Sequence, residues 1–244
     1  MQDFYTLEII AFTLEACRII EQCGIKRIEL CANPEEGGTT PSYGMIKAAR
    51  EKVGIDLFPI IRPRGGDFLY SDDEFAAMVS DVRMCKQLGC NGVVIGLLAR
   101  DGSIDVKRTA HLVNVAYPLD VTFHRAFDHC RDPFEALEQL VQIGCNRILT
   151  SGQKPTASEG ADTIHQLVQA AAERIVIMPG SGVRPENIKQ LARETGAREF
   201  HASLRSQGRS AMEFIHPSFV TQEANTYATV EAASIKELQK ALYD

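Results

Sequence analysis

Histidine, arginine and aspartate stand together at the end of an apolar, β-favouring run in Val121-Thr122-Phe123-His124-Arg125-Ala126-Phe127-Asp128. With a helical pattern following from Pro133, this is the profile of a buried parallel strand that carries polar side chains to a mouth. The profile recurs in Arg27 to Cys31, Phe58 to Arg62, Ile148 to Gly152 and Glu199 to Ser203, each with its chemistry at the C-terminal end. Side chains alternate along a strand, so Glu29 and Cys31 share a face, as do Thr122 and His124, and Glu199, His201 and Ser203. The set converging on one mouth is Glu8, Glu29, Cys31, Arg62, Arg64, His124, Arg125, Asp128, Thr150, Ser151, His201 and Ser203.

An imidazole exchanges protons near neutral pH, so His124 is a candidate acid or base, with Glu29 or Glu8 orienting it or sharing the work and Asp128 beside it. Arg62, Arg64 and Arg125 offer charge to an anionic group. Gly180-Ser181-Gly182, ahead of the helix that Pro185 begins, offers backbone N–H groups to a phosphate, with Thr150, Ser151, His201 and Ser203 completing the cup. A structural reading competes: Glu8 with Arg62 as a buried ion pair, and the glycines as a plain turn. Buried charges are costly unless paired, so so polar a mouth argues for a polar ligand. A metal reading stands beside it. Cys31, His124, His201 and Glu29 are soft to borderline ligands, and a thiolate suits Cu(I).

The elements that must bring these residues together are legible as alternation. Strands read at Tyr5 to Ile10, Arg27 to Cys31, Leu57 to Arg62, Gly92 to Gly96, Val121 to His124, Arg147 to Thr150, Arg174 to Met178 and Arg198 to Ala202. Helices follow each: after Leu14, from Gly44 to Val53, from an N-cap at Ser71 to Leu88, from Val106 to Val115, from Pro133 to Ile143, from Gly160 to Ala172, from Pro185 to Gly196, and from Val230 to Leu242. An irregular polar segment, 205–225, precedes the last helix, as a lid or a dimer contact. Eight strand-then-helix units in about 250 residues match a closed (β/α)₈ TIM barrel, an α/β fold, over 1–244 as a single domain. An open doubly wound sheet more often has fewer strands, and no Gly-x-Gly-x-x-Gly follows an early strand. In a barrel the working face is the C-terminal end of the strands, where these polar residues fall.

Composition narrows the partners. A formal net charge of -6 gives no electrostatic reason to expect nucleic acid or an anionic membrane. No apolar run reaches the roughly 20 residues that cross a bilayer. Met1-Gln2-Asp3-Phe4 lacks the basic and apolar regions of a signal peptide, so the expectation is a cytoplasmic protein. The seven cysteines include no Cys-x-x-Cys, and an odd number argues against a disulfide framework or closed zinc site.

Three blocks then carry a resemblance. Ile28-Glu29-Leu30-Cys31 with Glu36 to Ser42, Ile61-Arg62-Pro63-Arg64-Gly65-Gly66-Asp67-Phe68 with Leu69 to Asp72, and Val121 to Asp128 with Leu149-Thr150-Ser151-Gly152-Gln153 are similar to the signatures of the CutC copper homeostasis family. The resemblance runs nearly end to end. It implies a cytoplasmic TIM barrel, a role in copper tolerance or trafficking, and a homo-oligomer, with a dimer favoured. Some members resemble copper binders through mouth cysteines; the first-strand cysteine corresponds here to Ile10 and one near the last strand to Ala202, leaving Cys31. Two readings follow: a protein that binds copper ion as Cu(I) at Cys31, or an enzyme that applies acid/base residues to a small anionic or phosphorylated ligand.

Overall fold

The computed structural model describes residues 5–219 and 225–243. Eight parallel strands are laid down in chain order: β1 (Thr6–Ala11), β2 (Arg27–Leu30), β3 (Asp56–Pro59), β4 (Gly92–Ile95), β5 (Asp120–Phe123), β6 (Arg147–Thr150), β7 (Val176–Pro179) and β8 (Glu199–Ala202). The helices between them are α1 (Leu14–Gln22), α2 (Tyr43–Lys52), α3 (Asp72–Gln87), α4 (Val106–Ala116), α5 (Pro133–Ile143), α6 (Ala161–Ala171) and α7 (Ile188–Thr195). Ladders join β3-β2-β1-β8 and β4-β5-β6-β7. The first seam closes through a parallel bridge between Ile60 and Val94, where the Ile61 N–H donates to the Val94 carbonyl at 2.7 Å. At the second, β8 lies beside β7. The result is a (β/α)₈ barrel.

Alternation along each strand sorts two cores. Leu7, Ile9 and Ala11 of β1 face outward into the large core under the helices. Ile10 points the other way and packs with Cys31, Phe58, Ile60 and Val94 in a small apolar cluster inside the barrel. Local signals fix the helix ends. Ser71 and Glu74 close a capping box at the start of α3, and Asp132 caps α5, which has Pro133 in its first turn and Gly144 at φ 91° beyond its end.

Several boundaries differ from expectation. Helix α7 starts at Ile188 and not at Pro185, because Asn187 Oδ1 takes the Arg184 N–H and holds 184–187 as turns. β7 starts at Val176, two residues after Arg174, whose N–H bonds back to the Ala171 carbonyl. The segment 205–225 is not wholly irregular. Arg205–Arg209 forms β9, which pairs antiparallel with β10 (Thr226–Val230), a β-favouring Thr-Tyr-Ala-Thr-Val run able to recruit a partner strand. Residues 220–224 lie outside the described residues. The last helix, α8 (Ala232–Tyr243), buries Ile235, Leu238 and Leu242. No helix among the described residues is long and apolar enough to cross a membrane.

Candidate functional site

A cavity of about 530 Å³ opens at the C-terminal end of the strands. Its floor and walls include Ile10 of β1, Glu29 of β2, Ile60 and Arg62 after β3, His124 after β5, Leu149 of β6 and His201 of β8. Loops supply the rim with Phe12, Pro34, Gly37, Phe68, Arg125, Ser181, Gly182, Arg184, Ser203 and Arg205.

Beneath the floor lies an ion network. Glu8 is fully buried, and its Oε2 accepts from Arg27 Nε at 2.6 Å. Arg27 Nη2 donates to Glu199 Oε2 at 2.5 Å, and the same oxygen takes Arg147 Nε at 2.6 Å. Both guanidiniums flank the Phe58 ring, at 5.5 and 5.7 Å. Glu8 therefore pairs with Arg27, and not with Arg62 as the ion-pair reading had it. Burial opposes the Glu8 charge, but Arg27, the His201 hydrogen bond and Arg147 outweigh it and hold its carboxyl at about 2.

An ionised Glu8 fixes His201. Glu8 Oε1 meets His201 Nδ1 at 2.8 Å, so Nδ1 carries the proton it donates, and Nε2 faces Glu29 Oε2 at 3.6 Å. Burial pushes Glu29 up, His201 pulls it down, Glu8 pushes it up again, and it titrates at about 7. Burial would lower His201, but the bond to Glu8 and the charges of Glu29 and Glu8 outweigh it and raise it. Each thus favours the other's charge across the 3.6 Å between them. Glu8, Glu29 and His201 are also the described group whose ligand atoms lie close enough together to hold a metal ion, all within 4.8 Å.

His124 is placed at the mouth as expected, with a different proton state. It caps the short 3-10 turn Arg125–His129, and its Nδ1 accepts the Ala126 N–H at 3.0 Å. Burial and then the Arg62 charge push its pKa down to about 3. It is a neutral imidazole whose N–H sits on Nε2, and that buried atom has no hydrogen-bond partner among the described residues. Burial and the Arg62 charge thus favour the neutral form of His124, whereas Glu29 and His201 are both raised. Gly96 makes the ring possible, since a Cβ there would stand 2.2 Å from His124 Cε1.

The arginines divide. Arg62 gives its Nη atoms to loop carbonyls, with Nη1 donating to Glu36 O at 2.5 Å and Gly38 O at 2.9 Å, and Nη2 to Gly66 O at 2.9 Å, while its buried Nε has no hydrogen-bond partner among the described residues. Arg64 turns away from the cavity to Glu74 and Asp67 and stacks on Tyr70. Arg125 reaches the cavity while bonded to Asp128 and Ser151. Asp128 is a clasp: its carboxylate accepts from the Thr150 and Ser151 hydroxyls, the Ser151 and Gln153 N–H groups and Arg125. Thr150 and Ser151 are fully buried in that clasp and do not line the cavity. Gly180 lets His201 and Leu149 approach, since its Cβ would stand 2.4 Å from Leu149 Cδ1. The Ser181 hydroxyl donates to Pro155 O at 2.8 Å, leaving the loop backbone of Ser181 and Gly182 at the rim.

Two cavity cations were not read from the sequence. Arg184 stands two residues past Gly182 and is exposed. Arg205 opens β9, after β8 has ended at Ala202 and the backbone has turned at Leu204, φ 42°, so alternation along β8 does not reach it. Cys31 goes elsewhere. It is buried in the apolar cluster, beneath the backbone of Gly38, whose Cβ would lie 3.2 Å from its Sγ. Burial, then Glu29 and Glu8, raise its thiol well above the ordinary range, and it does not line the cavity.

Comparison with known proteins agrees with the barrel fold. The CutC family model matches residues 5–206. A CutC family protein of Parabacteroides distasonis is 51% identical over 230 residues, covering 91% of this chain and 95% of its own. One from Chromobacterium violaceum is 53% identical over 208 residues, with 85% and 84% covered. The crystal structure of a Streptococcus agalactiae CutC, provisionally named a copper homeostasis protein, superposes with a TM-score of 0.78 at 37% identity, covering 82% of this chain and 98% of that one. The chain belongs to the CutC family.

Proposed function

We propose that this chain is an enzyme that moves protons on a small anionic substrate held in the barrel mouth. The observation that carries the reading is the Glu29–His201 pair, 3.6 Å apart at the cavity floor and braced from below by Glu8. A carboxyl that titrates at about 7 both gives and takes a proton at physiological pH. Glu8 acts as a positioning residue through His201, and Arg27 keeps Glu8 ionised. Arg125, Arg184 and Arg205 at the rim supply the charge that draws and orients an anion.

Copper handling is the second reading, favoured by the family to which the chain belongs. The residues do not fit Cu(I). The clustered donors are two carboxylates and an imidazole, hard to borderline ligands, and both Glu8 oxygens are already engaged by Arg27 and His201. The soft ligand, Cys31, is a buried thiol among aliphatic and aromatic side chains.

Anaerobic titration of reduced protein with Cu(I) against a competing chelator, for wild type and Cys31→Ser, separates the readings. The enzyme reading expects weak binding indifferent to Cys31; tight one-to-one binding lost in Cys31→Ser would replace it with copper handling. Its positive arm is calorimetry with inorganic phosphate and small sugar phosphates. Binding that weakens at least about tenfold in Arg184→Ala supports an anion site, on the scale of one lost charge-assisted bond.

A further inference from the structure

The Nε2–H of His124 is a buried donor with nothing to donate to among the described residues. Such a group is costly unless a ligand satisfies it. Its direction is fixed, because Nδ1 is occupied by the Ala126 N–H, Phe68 lies against the ring at 5.1 Å, and Gly96 leaves no Cβ in its way. The cavity lining thus carries rim arginines, the His124 ring with its unpartnered neutral donor, Arg62 with its likewise unpartnered buried Nε, and the Glu29–His201 pair.

We propose that the substrate carries a carbonyl beside its anionic group, with the carbonyl oxygen on His124 Nε2–H and the adjacent C–H facing Glu29 and His201. This rests on the acid/base reading above and names its substrate class: a phosphorylated or carboxylated aldehyde or ketone. A neutral imidazole suits an oxygen that gains charge only as the reaction proceeds, whereas a full anion is met by the arginines. Burial holds the imidazole neutral at any physiological pH.

The step balances without a co-reactant. The C–H bond beside the carbonyl breaks, its proton passes to the Glu29–His201 pair, and its electron pair forms a C=C bond. The carbonyl π pair moves onto oxygen and is held by His124 Nε2–H. Return of the proton to the same carbon regenerates the carbonyl. Where that carbon carries a hydroxyl, a proton shift between the two oxygens and return to the former carbonyl carbon moves the carbonyl by one position.

Phosphoglycolohydroxamate, which carries a phosphate and mimics the enediolate, tests this against inorganic phosphate. Both are titrated into ¹⁵N-histidine-labelled protein and followed by calorimetry and by the His124 Nε2–H resonance. The hydroxamate is expected to bind at least about tenfold more tightly than phosphate, the scale of one charge-assisted hydrogen bond, and to move that resonance downfield. His124→Phe should remove the difference and leave phosphate affinity unchanged. Equal binding of the two with an unmoved resonance overturns the carbonyl inference and leaves the anion-binding enzyme standing. Binding of neither overturns both. The resonance is read on wild-type protein, so poor folding of the variant does not blunt the result.

Discussion

Glu29 is the residue whose protonation state the fold sets most tellingly. Its carboxyl is raised from 4.5 to about 7, so folding favours the protonated form. The stability it contributes is fully present below about pH 4.5 and is lost as pH rises through about 7; raised His201 acts in the same sense. Between about pH 4.5 and 6.5 the depressed His124 acts in the opposite sense, so urea unfolding should show stability falling with pH from about 6.5 to 8, and Glu29→Gln should remove up to about one proton's worth of the Glu29 contribution. An unchanged slope would mean that Glu29 does not titrate in this range. Cys31 yields the opposite kind of prediction. Its thiol is sealed in an apolar cluster, so Cys31→Ser buries a hydroxyl there and should cost about 1–3 kcal/mol in thermal or chemical unfolding. Both residues were visible in the sequence as one strand face. Their different fates were not, since two residues of rise separate a charged floor from an apolar pocket, and only the neighbouring strands decide which is which.

At the scale of elements, Arg62 ties the loop after β2 to the loop after β3, through the carbonyls of Glu36, Gly38 and Gly66. Thr40 adds its hydroxyl to the Arg62 N–H at 2.9 Å. Arg62→Met keeps much of the side chain's bulk but leaves three carbonyls without that donor. Limited proteolysis should then cut faster within 33–40 and 63–70, with circular dichroism of the barrel retained. A cleavage pattern like that of wild type would assign the loops' order to other contacts. The strand and helix order was legible because buried parallel strands and Gly- or Pro-bounded helices leave strong patterns. Loop geometry left weaker ones. Arg64 faces away because Glu74, already the capping-box acid of α3, lies within its reach. Asp128 became a clasp because the turn after β5 meets the end of β6. Neither meeting is encoded in local spacing.

For the whole molecule, the unusual feature is charge beneath the barrel floor. Arg27, Arg147, Glu8 and Glu199 come from strands β1, β2, β6 and β8, so their pairing depends on the stagger that closes the barrel and was not readable from any one segment. The polar mouth was readable, because alternation predicts it strand by strand. Buried pairs add little net stability over apolar packing, but removing one partner strands the other. Arg27→Met should therefore cost about 3–5 kcal/mol in urea unfolding, since Glu8 is fully buried and Glu199 keeps Arg147 alone. Exposed Arg174, paired with Glu138, provides the control: Arg174→Ala should change stability little. The acid limb sharpens the test. Glu8's contribution is present above about pH 4.5 and is lost as pH falls toward about 2. Without Arg27 the Glu8 carboxyl rises, so that loss should begin at higher pH in Arg27→Met than in wild type. A variant as stable as wild type, with an unshifted acid limb, would show that Arg27 does not set the state of Glu8. The chain of support from Arg27 through Glu8 and His201 to Glu29 would then lose its first link.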